Sequence, residues 1–446
     1  MNNPVVFQNL LTELSLSPTQ ILSALSDLPQ LVYLKNTNHP VIAFFASEYV
    51  INHAHVSQSF ERISLHQYKE KSQDISFNNF FHNKETSENS AEFNGGLIGF
   101  VGYDYAAQQH ASIQEKQQPC LFLGIYRSYL KLTAQGWTFF SDEDEADTIF
   151  QFIQQALAQK KSHSFSLTET CRARWNKNQY ATAFQQVQDY IQAGDCYQIN
   201  LTQEFTAKAE GLLIDTAEAF WTLTDAPYSG YLKIDDFELL SCSPELFIDF
   251  KTQRKIVTRP IKGTMPRYSD PQQDEDSKQR LIHSQKDQAE NVMIVDLLRN
   301  DLSVYAEIGS VKTPQLFKIE SFNQVHHMVS EVTATLKKEI NPLTVLMSAL
   351  PGGSITGAPK IRAIHIIDEL EGAARGAYCG SLGYFNFDGT GCWNILIRSI
   401  QKYQQDVSIW AGGGITIASD CEAEYQECFD KVSAMLDLLN TWQKKS

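Results

Sequence analysis

Arg259-Pro260-Ile261-Lys262-Gly263-Thr264 sets one primary amine between a proline that fixes its own backbone and a glycine that admits close approach. Lys262 is therefore a candidate nucleophile, although the same turn suits a solvated lysine equally well. Three carboxylate-bearing segments accompany it: Ser243-Pro244-Glu245, Gln288-Ala289-Glu290-Asn291 and Glu424-Tyr425-Gln426-Glu427. Asp287 and Glu290 fall one turn apart in a segment, 284–302, that reads as helix, and Glu424 and Glu427 repeat the spacing. Like charges so placed repel by roughly a few tenths of a kcal/mol unless a cation or hydrogen bond offsets them. Two such helices face to face would offer hard oxygen ligands suited to Mg²⁺. Solvated helix faces and an ordinary Glu427/Lys431 pair are the competing account.

Other residues could meet an anion. Pro351-Gly352-Gly353-Ser354-Ile355-Thr356-Gly357-Ala358-Pro359-Lys360 reads as a loop whose free amides suit a carboxylate, leading into a helix near Pro359; a plain connecting turn would look the same. Ala411-Gly412-Gly413-Gly414 follows a strand, where glycines weaken a sheet unless another backbone or a ligand must come close. Arg398, in the strand-like segment 394–398, would need an anionic partner if it faced inward, and a bound carboxylate or a structural salt bridge would serve. His326 and His327 precede the apolar Met328-Val329, so satisfied core histidines are the default and catalysis the alternative.

The elements that must position these residues are mixed. Tyr180, Phe184, Val187 and Ile191 keep helical spacing after Asn178 as N-cap, with Gly194 as the stop. Segments 196–205, 239–250, 378–387, 392–401 and 408–417 read as strands. The order does not repeat as βαβ units, so a mixed or antiparallel sheet assembly with helices outside is expected rather than a doubly wound fold. Polar stretches at 71–92 and 159–174 read as exposed loops or as a boundary between an N-terminal and a catalytic part.

With 446 residues the chain has ample length for a core. A formal charge of −15 argues against nucleic acid or an anionic membrane as partner, since either needs a basic surface. An anionic substrate must then be met locally. The eight cysteines form no C-x-x-C pair and no regular spacing, which suggests neither a zinc site nor a disulfide framework and fits a reducing compartment. Residues 1–30 carry no basic and apolar signal pattern, and no early apolar run is long enough to span a bilayer, so a soluble, cytoplasmic protein is expected. No cysteine lies in a G-x-C-x-G elbow, so glutamine hydrolysis is not expected of this chain.

Gly194-Asp195-Cys196-Tyr197-Gln198, Ser243-Pro244-Glu245, Pro260-Ile261-Lys262-Gly263-Thr264, His327-Met328-Val329-Ser330, Gly357-Ala358-Pro359-Lys360 and Glu424-Tyr425-Gln426-Glu427 occur in this order, and jointly they resemble the chorismate-utilising enzymes. The resemblance covers about residues 90–440, including Gly95-Gly96-Leu97-Ile98-Gly99 and Tyr103-Asp104. It implies an α/β (α+β) fold, two α/β subdomains forming a layered sandwich of mixed, largely antiparallel sheets with helices outside. Residues 1–160 would form the N-terminal region and 170–446 the chorismate-binding catalytic region. Lysine at position 262 is typical of members that aminate chorismate to 4-amino-4-deoxychorismate, for 4-aminobenzoate and folate biosynthesis. Members that form anthranilate, the alternative activity, usually carry alanine there. Gln198 stands where members that add water carry a lysine base. A catalytically dead chorismate-binding subunit is a further alternative, against which Lys262, Glu245, Glu290 and Glu427 argue.

The resemblance also implies roles. Lys262 would be the nucleophile, Glu245 the proton donor and His327 a supporting group. Glu290 and Glu427, with Glu424 nearby, would hold Mg²⁺. Thr264, Ser354, Tyr378, Arg398, Gly412 and Gly414 would bind substrate. Ammonia would come from glutamine through a separate amidotransferase subunit. Gly413 stands where many relatives carry alanine.

Overall fold

The computed structural model describes residues 7–11, 16–35, 39–53, 55–71, 92–159, 161, 164–322 and 325–444. Among these, strands form two large sheets whose pairings are antiparallel. At the centre of the first lie, in order, Leu31–Leu34, Tyr228–Ile234, Phe237–Ser243, Ser399–Tyr403, Asp406–Ile415 and Gln198–Glu210. The second runs Ile261–Pro266, Val325–Thr335, Lys255–Arg259, Leu246–Phe250, Gly391–Asn394, Ser381–Asn386, Gly96–Val101 and Leu121–Tyr126, then outward to three further strands. Each sheet thus joins strands from before residue 160 to strands from after residue 170.

The sheets face each other across Val32, Leu232, Phe237 and Leu239 from the first and Phe100, Phe122, Leu382 and Tyr384 from the second, all buried. Helices Pro18–Ala24, Ala146–Ala158, Ile214–Thr224 and Ser433–Asn440 cover the outer face of the first sheet. Helices Tyr103–Gln108, Lys177–Gln192, Pro342–Ala349 and Lys360–Glu371 contribute to another buried cluster with strands of the second. This is the layered, largely antiparallel sandwich with outer helices that the resemblance implied.

Local rules account for the elements around the site. Asn176, not Asn178, caps helix Lys177–Gln192: Asn176 and Gln179 form a reciprocal capping box, which the Asn-x-x-Gln spacing specifies. Ser284 caps helix Gln285–Ser303 through its hydroxyl, which accepts from the Asp287 amide at 3.3 Å. Asp420 caps helix Cys421–Asp430 from the Ala423 amide at 3.0 Å. The polar stretch 159–174 is not all loop, since Ser166–Leu167 and Arg172–Ala173 both pair with Gln198–Glu210. Of the other polar stretch, residues 72–91 lie outside the described residues.

Two expected strands prove to be broken, and the breaks create the site. Segment 239–250 divides into Phe237–Ser243 in the first sheet and Leu246–Phe250 in the second. Pro244, which has no amide hydrogen to give a ladder, sits at the crossing. Segment 392–401 divides likewise into Gly391–Asn394 and Ser399–Tyr403. There Arg398 takes a left-handed backbone, φ 49°, so it belongs to a crossing and not to a strand. The crossings lie side by side, joined by the Ile395 amide to Glu245 O at 3.1 Å and by Ser243 Oγ to Ile395 O at 2.5 Å. Glu245 and Arg398 are thereby fixed at one seam between the sheets.

Candidate active site

At that seam opens a cavity of about 720 Å³. Its wall takes Glu245 and Arg398 from the crossings, Lys262 and Thr264 from strand Ile261–Pro266, and His327 from the adjoining strand Val325–Thr335. Ser354 comes from the glycine loop, Tyr378 from the turn before Ser381–Asn386, and Gly412 and Gly414 from strand Asp406–Ile415. Glu290 enters from helix Gln285–Ser303, and Glu424 and Glu427 from helix Cys421–Asp430. Every candidate named from the sequence as catalytic, substrate-binding or metal-binding therefore lines this one cavity.

Lys262 sits on a β-bulge and not in a free turn. Ile261 pairs with Val329 and Thr264 with His327, so Lys262 and Gly263 together oppose the single residue Met328. A bulge re-aims a side chain, and here it turns the amine into the cavity, where Lys262 Nζ donates to Ser354 O at 3.1 Å. Gly263 has φ 89°, and a Cβ on it would fall 2.9 Å from Asp287 Cγ. The glycine is thus required by the bulge and by the helix behind it, rather than by a ligand.

Glu245 is 7% exposed, and burial pushes its carboxyl up to about 7, against the pull of Lys262, the Ile261 amide, Lys431 and Arg398. A carboxylic acid so tuned can carry a proton at neutral pH. His327 lies with its Nδ1 2.8 Å from Thr264 Oγ1. Burial, then the charge of Arg398, pushes it down to about 4, so it is neutral at pH 7. The strand alternates: His327 faces the cavity, while His326 turns away to Ser321 Oγ at 2.7 Å and Asp274 Oδ1 at 3.1 Å. Arg398 is half-buried, and among the described residues no carboxylate closes an ion pair with its guanidinium. A half-buried guanidinium so placed at a cavity wall could meet an anion. Tyr378 stacks on Trp410, ring centres 5.9 Å apart and planes at 14°, giving a flat surface beside it.

The acidic side is organised by two lysines, Lys286, which the sequence did not single out, and Lys431, which it offered only as a surface partner of Glu427. Lys286 Nζ donates to Glu424 Oε1 at 3.1 Å, and Ser419 Oγ donates to the same oxygen at 2.7 Å. Lys431 pairs with Glu427 at 2.6 Å and also donates to Gly412 O at 2.8 Å, so the pair is part of the cavity and not an ordinary surface contact. Burial pushes Glu427 up, but Lys431, helped by Lys286 and Lys262, outweighs it and the carboxyl lies below its usual range. Glu290 moves up through burial, with Lys262 and Lys286 opposing. The i, i+4 spacing of Lys286 to Glu290 and of Glu427 to Lys431 was the available signal for these amines.

Glu424 is 2% exposed and its Oε2 is buried without a hydrogen-bond partner. A Cβ on Gly413 would lie 2.9 Å from that oxygen and 3.1 Å from Glu427 Oε1, so the two carboxylates meet over this strand. Among the described residues, no three His, Cys, Asp or Glu side chains close on one point. The unpartnered Glu424 Oε2 beside Glu427 offers hard oxygens that could hold Mg²⁺, which keeps waters and takes one or two carboxylates together with its substrate. No helix among the described residues is long and apolar enough to cross a membrane.

Comparison with known proteins shows the family. The sequence profile of the chorismate binding enzyme family matches residues 29–437. The chain is 44% identical over 359 residues to aminodeoxychorismate synthase component 1 of Klebsiella aerogenes, covering 78% of each chain. It is 42% identical over 366 residues to the protein of that name in Escherichia coli, covering 80% of this chain and 79% of that one. Among solved structures it resembles anthranilate synthase component I of Streptococcus pneumoniae, with TM-score 0.77 at 26% identity, over 89% of this chain and 92% of that one. On the family match and the two relatives alike, this chain belongs to the chorismate-binding enzyme family.

Proposed function

We propose that this chain is component 1 of an aminodeoxychorismate synthase, converting chorismate and ammonia to 4-amino-4-deoxychorismate. The observation that carries this reading is Lys262, bulged into the cavity beside the buried acid Glu245 and held by Ser354 O. The relatives named above support it. Ammonia would be delivered from glutamine by a separate amidotransferase subunit, since the sequence has no cysteine elbow for glutamine hydrolysis.

The C4 hydroxyl of chorismate is a poor leaving group and needs a proton. Lys262, as the free amine, adds at C2; both ring double bonds shift, to C1=C6 and C4=C5, and the C4 hydroxyl leaves as water with a proton from Glu245. Ammonia then adds at C4, both double bonds shift back, the C2–N bond to Lys262 breaks to restore the amine, and the new ammonium returns a proton to Glu245. The two steps sum to chorismate plus ammonia giving aminodeoxychorismate plus water. Arg398 and the amide-rich strand at Gly412 and Gly414 hold substrate carboxylate, with Tyr378, Thr264 and Ser354 shaping the rest. His327, neutral and held to Thr264, supports and does not titrate. Glu290, Glu427 and Glu424 would hold Mg²⁺, a Lewis acid that neutralises charge on the substrate.

Product identification by mass tests the reading. The chain mixed with chorismate, MgCl₂ and an ammonium salt should give aminodeoxychorismate, and glutamine should replace ammonium only once an amidotransferase subunit is added. Anthranilate with release of pyruvate would instead assign the alternative activity, and no turnover under any condition would assign a binding subunit.

A further inference from the structure

Behind the cavity wall lies a fully buried ion pair that none of the steps above uses. Arg375 and Glu371 each have side chains 1% exposed; Arg375 Nε donates to Glu371 Oε2 at 2.8 Å and its Nη2 to Glu371 Oε1 at 2.6 Å. Burying such a pair gains little stability over a well-packed apolar replacement, so its use lies elsewhere. Two of the three remaining donors of the planar fork go to backbone carbonyls of two cavity-lining segments: Nη1 to Ile355 O at 3.0 Å and Nη2 to Asn200 O at 2.7 Å. Glu371 Oε1 in turn accepts from the Thr202 amide at 2.8 Å and the Thr202 hydroxyl at 2.7 Å. The guanidinium lies 4.7 Å from the Tyr103 ring centre and 5.9 Å from that of Tyr378.

Ile355 ends the single turn Gly353–Ile355, and its neighbour Ser354 supplies the carbonyl that accepts from Lys262 Nζ. The planar Ser354–Ile355 peptide that carries this carbonyl is also held at its other end, where the Ile355 amide donates to Gly352 O at 3.2 Å, so fixing Ile355 O helps keep the whole turn in one orientation. Asn200 Nδ2 donates to the same Ile355 O at 3.0 Å, so that oxygen is held from two sides. We propose that Arg375, locked by Glu371, is a positioning residue for the Lys262 amine: it fixes the Gly353–Ile355 turn whose Ser354 carbonyl tethers that amine. The consequence for turnover rests on the reading of Lys262 as the reacting group. A lysine on four rotatable carbons gains most from a fixed acceptor, and misplacing a reacting atom by about 1 Å can cost about 100-fold in rate.

The test uses Arg375→Lys, with Glu371→Gln as a second variant that keeps the shape and one acceptor should the first fail to fold. Near-ultraviolet circular dichroism and a thermal melt establish that each is folded. The first readout is the rate at which trace acetic anhydride acetylates Lys262 relative to an exposed lysine such as Lys444, followed by peptide mass. It needs neither chorismate nor metal, so it decides the tether even if the reaction is assigned wrongly. The expected result is a change of Lys262 reactivity by about threefold or more, with kcat down by about 10- to 100-fold and the KM for chorismate nearly unchanged. A folded variant with Lys262 reactivity and kcat both as in the wild type overturns the proposal. So does a variant in which KM alone rises, since that marks Arg375 as a support of substrate binding. Loss of kcat with unchanged reactivity also overturns it, because the tether would then be intact.

Discussion

Glu245 and Glu427 face the same cavity and are tuned in opposite directions. Glu245 stands on a crossing between sheets, 7% exposed and without an ion-paired base, so burial dominates and its carboxyl rises to about 7. Glu427 stands on a helix with Lys431 one turn along at 2.6 Å, and there the lysine outweighs burial and the carboxyl falls below its usual range. The same division holds for the walls around them. On the sheet side Arg398 and His327, the latter held by the Thr264 hydroxyl, face the cavity, and among the described residues neither closes an ion pair with a carboxylate. On the helical side Glu424 and Glu427 are already paired with Lys286 and Lys431. Identical side chains whose environments separate their proton affinities mark an acid and a charged ligand. On the proposed function, the sheet wall would serve proton transfer and anion recognition, and the helical wall would hold a cation that displaces amines.

The largest expected effect comes from the sheet wall. Lys262→Ala should lower aminodeoxychorismate formation by on the order of 10⁴-fold or more, and abolish a covalent adduct that chorismate alone leaves on the wild-type peptide containing Lys262. Lys262→Arg, which keeps charge but is a poor nucleophile, should be nearly as inactive. An active arginine variant with no adduct in the wild type would make Lys262 a fixed charge and the sheet wall purely electrostatic.

Glu245→Gln should cost about 10²- to 10⁴-fold, the usual range for a general acid. With its proton held up to about 7, the wild-type kcat/KM should fall as pH rises through that value, and the variant should lose this limb. Linkage has the same sign: a raised folded-state pKa stabilises the fold at low pH, and that stabilisation is lost as pH rises through about 7. Thermal melts of Glu245→Gln should therefore fall less between pH 6 and 8 than those of the wild type. A wild-type limb that survives in the glutamine variant would move the acid elsewhere.

Weaker effects belong to ligand and substrate binding. Glu290→Gln and Glu427→Gln should each raise the Mg²⁺ concentration needed for half-maximal turnover by roughly 10- to 100-fold, with calorimetric Mg²⁺ affinity falling in parallel. Full activity in excess chelator would remove the cation from the helical wall altogether. Arg398→Lys keeps the charge and loses the planar fork, so the chorismate KM should rise by roughly tenfold while the Mg²⁺ requirement stays put. A shift in both would mean that the two walls share one ligand set.

How much of this was legible in the sequence follows from the range of the forces involved. Lys262, Glu245 and the helical glutamates stood in short contiguous patterns, and helix caps such as Ser284 and Asp420 act within three residues. The crossings were not legible. Periodicity sees an apolar alternation through 239–250 and cannot tell that Ser243 and Leu246 pair in different sheets, since that choice is made by partners far along the chain. The bulge at Lys262 was hidden likewise, because a bulge is a relation to the opposite strand, here Val329 and His327. Lys431 was legible as a partner of Glu427 but not as a donor to Gly412 O, which only the fold brings near. Arg375 and Glu371 lie in an unremarkable i, i+4 pair whose burial no local pattern announces.

The smallest expected effect isolates the helical wall without touching a charge. Gly413 lies in strand Asp406–Ile415 beneath the acidic helix, where a Cβ would stand 2.9 Å from Glu424 Oε2 and 3.1 Å from Glu427 Oε1. Contacts below about 3.0 Å are repulsive, so one carboxylate must move. Glu427, whose side chain is 39% exposed, can swing outward; Glu424, 2% exposed and held by Ser419 Oγ and Lys286 Nζ, has less room. Gly413→Ala should therefore change calorimetric Mg²⁺ affinity by roughly two- to fivefold, while the Lys262 adduct with chorismate, measured without metal, forms as in the wild type. If the adduct slows and the metal affinity does not move, the strand beneath Glu424 and Glu427 serves the substrate and not the cation. The separation of the walls would then have to be drawn one strand further over, between Gly413 and the helix that faces it.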